Sequence, residues 1–184
     1  MICSAACAVT KSESPLFPMK ASLIRTLAVL TISCCFAVTP MEGKERVIFD
    51  TDVGGDVDDA GALAVLHALA DHGDIDILAI GVVIGHKAGV PFVDAVNTWY
   101  GRPDLPVGAI KGKAPYNRDE YMVPVVAEYP HDLTQETAPD VVKLYRKVLA
   151  AEPDHSVTMI AVGPATNIRD LLKSEPDEHS ALSG

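Results

Sequence analysis

At 184 residues, 48% of them hydrophobic and 22% charged, the chain suits one globular domain and excludes a disordered or collagen-like polymer. Its formal net charge of −10 is unevenly placed, with four Lys/Arg against three Asp/Glu in residues 1 to 45 and 11 against 22 in the remainder. A body this acidic repels phosphate backbones, which excludes nucleic acid as a partner.

The N-terminus reads as an export signal over residues 1 to 40, with Met19 as an alternative start. Met19-Lys20 begins an n-region, Arg25 follows, and the apolar run from Thr26 to Val38 is shorter than the roughly 20 residues that cross a bilayer. Cleavage is expected between Cys35 and Met41, giving a periplasmic or secreted protein without a membrane span. All four cysteines (Cys3, Cys7, Cys34, Cys35) lie in this stretch, so the exported part would hold no disulfide and no thiolate metal site. The tetrad "TISC" is a weak match to a lipoprotein box, and the expectation is export without a lipid anchor.

From residue 46 short β-rich runs alternate with helical stretches. Val47 to Phe49 reads as a strand ending at Asp50. Val57 to Ala70 has helix-forming composition, with Asp56 as N-cap and Gly73 as the stop. Ile75 to Ile84 is apolar at almost every position, as in a parallel strand covered on both faces. Val90 to Tyr100 predicts a helix ended by Gly101, and Pro106 to Ala109 a short strand. Residues 111 to 137 show no period and read as a loop with helical turns. Pro139 to Ala151 predicts a helix with Pro139 in its first turn, Val157 to Val162 a strand, and Ala165 to Lys173 a further helix. This order predicts an α/β fold: an open, mainly parallel sheet with flanking helices and right-handed crossovers.

The segment "DTDVGGDVDD" places five aspartates within residues 50 to 59, directly after the first strand. Asp50 and Asp52, two apart, leave a strand on one side, Gly54-Gly55 permits a sharp turn, and Asp58 and Asp59 fall in a first helical turn, where the dipole favours negative charge. Four or five carboxylates thus gather at the carboxyl end of a strand, the usual ligand position in open α/β sheets. An all-oxygen set without Cys or an obvious His partner selects a hard cation, Ca²⁺ before Mg²⁺. The bland alternative is a set of helix caps and solvated charges around a turn. An EF-hand loop starting at Asp50 fails because Gly61 stands where the bidentate Glu is needed and a strand precedes it. A haloacid-dehalogenase-type phosphatase, with Asp50 as nucleophile, also begins with a strand and D-x-D, but its usual Gly-Thr continuation is replaced by Val53-Gly54.

Three segments in order resemble the inosine-uridine-preferring nucleoside hydrolase family. "VIFDTDVGGDVDDAGALAVLHAL" is similar to its first strand and D-x-D-x-G...D-D-A helix start, "LAIGVVIGH" to its second strand and following turn, and "MIAVGPATNIRDLL" to its G-P-x-T-N segment. The similarity runs from about Arg46 to the C-terminus and covers the N-terminal half of a family member, which implies a truncated, Rossmann-like version of that fold in residues 46 to 184. By position it implies Asp52 as calcium ligand and general base, Asp59 as calcium ligand, Asp58 as a ribose contact, and Val162 as a calcium ligand through its backbone carbonyl. Asp50 and Asn167 take supporting roles, Asn167 by ordering its turn. Two more residues separate Asp52 from the Asp58-Asp59 pair than in the shorter form of the motif, so Asp56 either replaces Asp58 or caps the helix. His86 stands where the family often has Asn, as a ribose contact or as a structural or solvated strand-end residue. The other histidines (His67, His72, His131, His155, His179) show no metal spacing and read as surface or helix-face residues.

The implied chemistry is calcium-dependent hydrolysis of the N-glycosidic bond of a small-molecule ribonucleoside to ribose and free base, through an oxocarbenium-like transition state. Purine versus pyrimidine preference and assembly into a homo-oligomer are left open. In the family a further calcium aspartate and the leaving-group histidine come from the second half. The chain is therefore expected to be an incomplete copy, the alternative being a catalytically silent fragment with residual calcium or ribose binding.

Overall fold

The structure, a computed structural model, describes residues 43–181, 183 and 184. The expected export signal lies outside the described residues. Among the described residues no helix is long and apolar enough to cross a membrane.

Among the described residues four strands and five helices follow in the order β1 (Glu45–Thr51), α1 (Asp58–His72), β2 (Ile75–Val82), α2 (Gly89–Trp99), β3 (Val107–Ala109), α3 (Met122–Glu128), α4 (Val141–Ala150), β4 (Val157–Ala161) and α5 (Thr166–Leu172). The strands form one parallel sheet in the order β3-β2-β1-β4. Chain order runs outward in one direction from β1 to β3 and then returns to place β4 on its other side. Such a reversal opens a crevice at the carboxyl ends of the two strands that flank it, here β1 and β4.

Each face of the sheet carries its own core. On one face Val47 and Phe49 of β1 pack with Leu63 and Leu66 of α1, Phe92 and Val93 of α2 and Met122 of α3. On the other, Ile48 packs with Val141 and Tyr145 of α4 and Leu171 of α5. Successive residues of β1 thus face opposite layers, which is why Val47, Ile48 and Phe49 are all apolar. Burial of each such Leu, Ile or Phe contributes roughly 1.5–3 kcal/mol. The β1–β2 register shifts between Val47 and Ile48, so that Ile48 lies opposite Ala79. A continuous apolar run gives no sign of such a slip.

Several boundaries differ from expectation for identifiable reasons. Asp56 does not cap α1: the N-cap is Val57, without a side-chain hydrogen bond, and Asp56 is exposed. Pro139 lies outside α4, because its carbonyl accepts from the Ala109 amide (2.9 Å) and so ties the chain to β3. Asp140 is the cap instead, accepting from the Val142 and Lys143 amides at 3.0 and 3.1 Å. Gly73 does end α1, in the left-handed region at φ 93°. His67 is no surface residue: it is fully buried, bonded to Asn97 Oδ1 at 2.9 Å and stacked on Tyr100 at 4.6 Å. Residues 111 to 137 contain one defined helix, α3.

Candidate metal and ribose site

β1 ends at Thr51, and the chain then turns through residues 52 to 57 into α1. Thr51 organises this turn: its hydroxyl accepts from the Val53 amide (3.2 Å) and donates to Asp59 Oδ1 (2.5 Å). Gly54 takes φ 123°, and a Cβ there would meet the Met122 side chain and the Arg118 carbonyl. The Gly54 amide donates to the Tyr121 hydroxyl (3.2 Å), and its carbonyl accepts from the Glu120 amide (2.9 Å). The aspartate-rich turn is therefore pinned from outside by the segment leading into α3.

Ligand oxygens of Asp56, Asp58 and Asp59 lie within 4.8 Å of one another, with Asp59 buried and the other two exposed. Asp52 is half-buried beside them. Its carboxylate packs against Gly163, just after β4, where a Cβ would overlap it. The G-P-x-T-N turn and the acidic turn are thus brought together by the absence of a side chain.

The carboxylates carry the mark of this crowding. Burial pushes Asp59 up to about 6, against the opposing Thr51 hydrogen bond and with help from Asp52, Asp58 and Asp56. Burial also raises Asp52, Asp58 adds to the rise, and the Arg118 guanidinium works against it. The contact between Asp56 and Asp58 raises Asp56 and lowers Asp58. Hard oxygen donors at this spacing, with their charges repelling and one of them buried, fit a divalent cation of the Ca²⁺ or Mg²⁺ type.

Asp50 sits apart from this group. It is 1% exposed, faces α4 and α5, and its Oδ2 accepts from the Tyr145 hydroxyl (2.5 Å) and Asn167 Nδ2 (2.8 Å). Burial pushes it up to about 6, opposed by those two hydrogen bonds. Of the four or five carboxylates expected in one volume, Asp56, Asp58 and Asp59 meet, Asp52 lies beside them, and Asp50 is held beneath. Burial also disposes of the phosphatase alternative, since a nucleophile must meet its substrate.

The remaining expected residues lie at the same end of the sheet. Val162 follows β4, its amide donating to the Asp50 carbonyl (3.0 Å). His86 is half-buried in the loop after β2, where its Nδ1 accepts from the Ala88 amide (3.2 Å). Thr51, Arg118, Tyr121 and Tyr145 were not anticipated. Three of them lie far from the aspartates in sequence, and only Thr51, inside the D-T-D run, had a signal of position.

An open parallel α/β domain with an acidic cluster at a strand-order reversal has the architecture in which ligands meet the carboxyl ends of the strands. No protein-family model matches the chain. It is 32% identical over 154 residues to the pyrimidine-specific ribonucleoside hydrolase RihA of Citrobacter koseri, in a match covering 74% of this chain and 45% of that protein. Two solved structures share its fold at a TM-score of 0.55: the effector protein XOO4466, with 15% identity over 80% of this chain and 43% of that one, and the type III effector protein XopQ complexed with adenosine diphosphate ribose, with 17% identity over 85% and 43%. The chain is thus related to the nucleoside hydrolases over part of their length, and spans about half the length of the relatives it matches.

Proposed function

We propose that the chain hydrolyses the N-glycosidic bond of ribonucleosides with the aid of a calcium ion held at the end of β1. The observation that carries this reading is the cluster of Asp56, Asp58 and Asp59, with Asp52 close by and packed on Gly163, in a chain related to a ribonucleoside hydrolase. Asp52 and Asp59 would hold the ion together with the Val162 carbonyl, and Asp56 offers a further oxygen. Bound calcium supplies Lewis acidity toward a water and a grip on sugar hydroxyls.

The chain's own residues supply the rest. Asp52, raised by burial and by Asp58, is suited to accept a proton from the attacking water. Asp58, exposed and lowered by its contact with Asp56, is suited to accept hydrogen bonds from ribose hydroxyls. The summed negative charge favours the positive charge that develops on the sugar as the base leaves. His86 lies on the loop beside this turn and is assigned to the ribose rim.

Ribose release from uridine and inosine, with and without chelator, tests the proposal. Calcium-dependent turnover supports it. Calcium binding without turnover would favour the second reading, a chain that binds calcium or ribose and is catalytically silent. Export is proposed from the run between Met19 and Val38, and the N-terminal sequence of the mature protein checks it.

A further inference from the structure

One row of residues crosses the whole sheet in register: Gly108 of β3 pairs with Gly81 of β2, Gly81 with Asp50 of β1, and Asp50 with Ala161 of β4. Side chains in one row share a face, so this face is nearly bare at the level of the site. The bareness is used. A Cβ on Gly81 would overlap the Tyr145 hydroxyl, and one on Gly108 would come within 2.9 Å of the Val141 Cα. The two glycines let α4 settle onto the sheet and let the fully buried Tyr145 reach along the row to Asp50.

Asp50 in turn joins β1 to the turn after β4. Its carbonyl accepts from the Val162 amide, its Oδ2 binds Asn167 of α5, and two residues on is Asp52, packed on Gly163. Asp50 Oδ1 and Asn167 Oδ1 are both buried and have no hydrogen-bond partner among the described residues. A buried polar group left half-satisfied costs about 1–3 kcal/mol, and such a cost in so ordered a row calls for a role. The geometry points to Tyr145 as a positioning residue of the metal site: acting through Asp50 and Asn167, it holds the Val162–Asn167 turn against the acidic turn. The assignment rests on the reading of the acidic turn as a metal site.

Two readouts test it on the full chain. In Tyr145→Phe, which keeps the ring and loses only the hydroxyl, and in Asn167→Ala, amide exchange across residues 162–167 should quicken, and calcium affinity by titration calorimetry should fall roughly 10- to 100-fold. Ile48→Val, in the same core cluster, should lower thermal stability and move neither readout. Unchanged exchange and affinity in both hydroxyl and amide variants would overturn the assignment. So would quickened exchange with wild-type calcium affinity, which would leave the row a structural staple. Absence of calcium binding by the wild type would instead overturn the proposed function, while the exchange data would still show whether Tyr145 holds the turn.

Discussion

Two charged regions of the molecule treat their carboxylates in opposite ways. Near the C-terminus Arg146, 6% exposed, donates to Asp177 Oδ2 (2.6 Å), to Ser174 Oγ (2.8 Å) and to the Ser180 carbonyl (3.0 Å). That hydrogen bond holds Asp177 down to about 2, well below the usual carboxylate range. At the end of β1, Asp50 and Asp59 are pushed up to about 6 and Asp52 is raised, with the Arg118 guanidinium the opposing cation at Asp52. The first region has the arrangement of charges that stability alone selects. The second is strained in the absence of a ligand, and unrelieved strain of that kind concentrates at functional sites.

The largest effect separating the two regions is on turnover. Asp52→Asn should cut ribose release by about 10²–10⁴-fold with the fold intact by circular dichroism, and comparable activity in the variant would remove Asp52 from the role of base. Next comes metal affinity: Thr51→Val, which strips the hydroxyl from Asp59, should weaken calcium binding roughly 10- to 100-fold in a calorimetric titration. In the other region Arg146→Met should lower the melting temperature by several degrees while leaving calcium affinity at the wild-type value. A fall in affinity there would show that the two regions are coupled.

The smallest effect is the dependence of stability on pH. Asp50 and Asp59 titrate higher when folded than their ordinary 3.8, so the folded protein takes up protons as pH falls through about 6. Their burden on the metal-free protein is present above pH 6 and gone below 4, so melting temperature should rise by a few degrees between pH 7.5 and 5. Asp177, lowered when folded, contributes stability that is present above pH 4 and lost as pH falls through about 2. Saturating calcium should abolish or reverse the rise between pH 7.5 and 5, because a bound cation favours the ionised carboxylates. An unchanged slope in calcium would argue that the ion is not held by Asp59.

Much of the fold was legible because its signals are local. The largely apolar run of β2, the Ala/Leu-rich α1 with its glycine stop, and the succession of strands and helices each follow from side chains within a few residues of one another. The parallel α/β class followed from their order. The error at Pro139 arose where a distant partner, the Ala109 amide, decided the outcome. His67 lies on a helix face, but on the buried one, because its partners Asn97 and Tyr100 lie on another helix or at its end.

The sequence by itself determined that this protein gathers acid at the end of its first strand, since the period of a β-strand and the flexibility of Gly54-Gly55 confine Asp52 to Asp59 to one small volume. Only the tertiary structure decided which aspartates face the site and which is buried beneath it. That choice depends on the register Gly108-Gly81-Asp50-Ala161, on Tyr145 reaching across from α4, and on Gly163 yielding space to Asp52. Each is a contact between residues far apart in the chain, set by how the strands pair and the helices pack, and no local pattern encodes it.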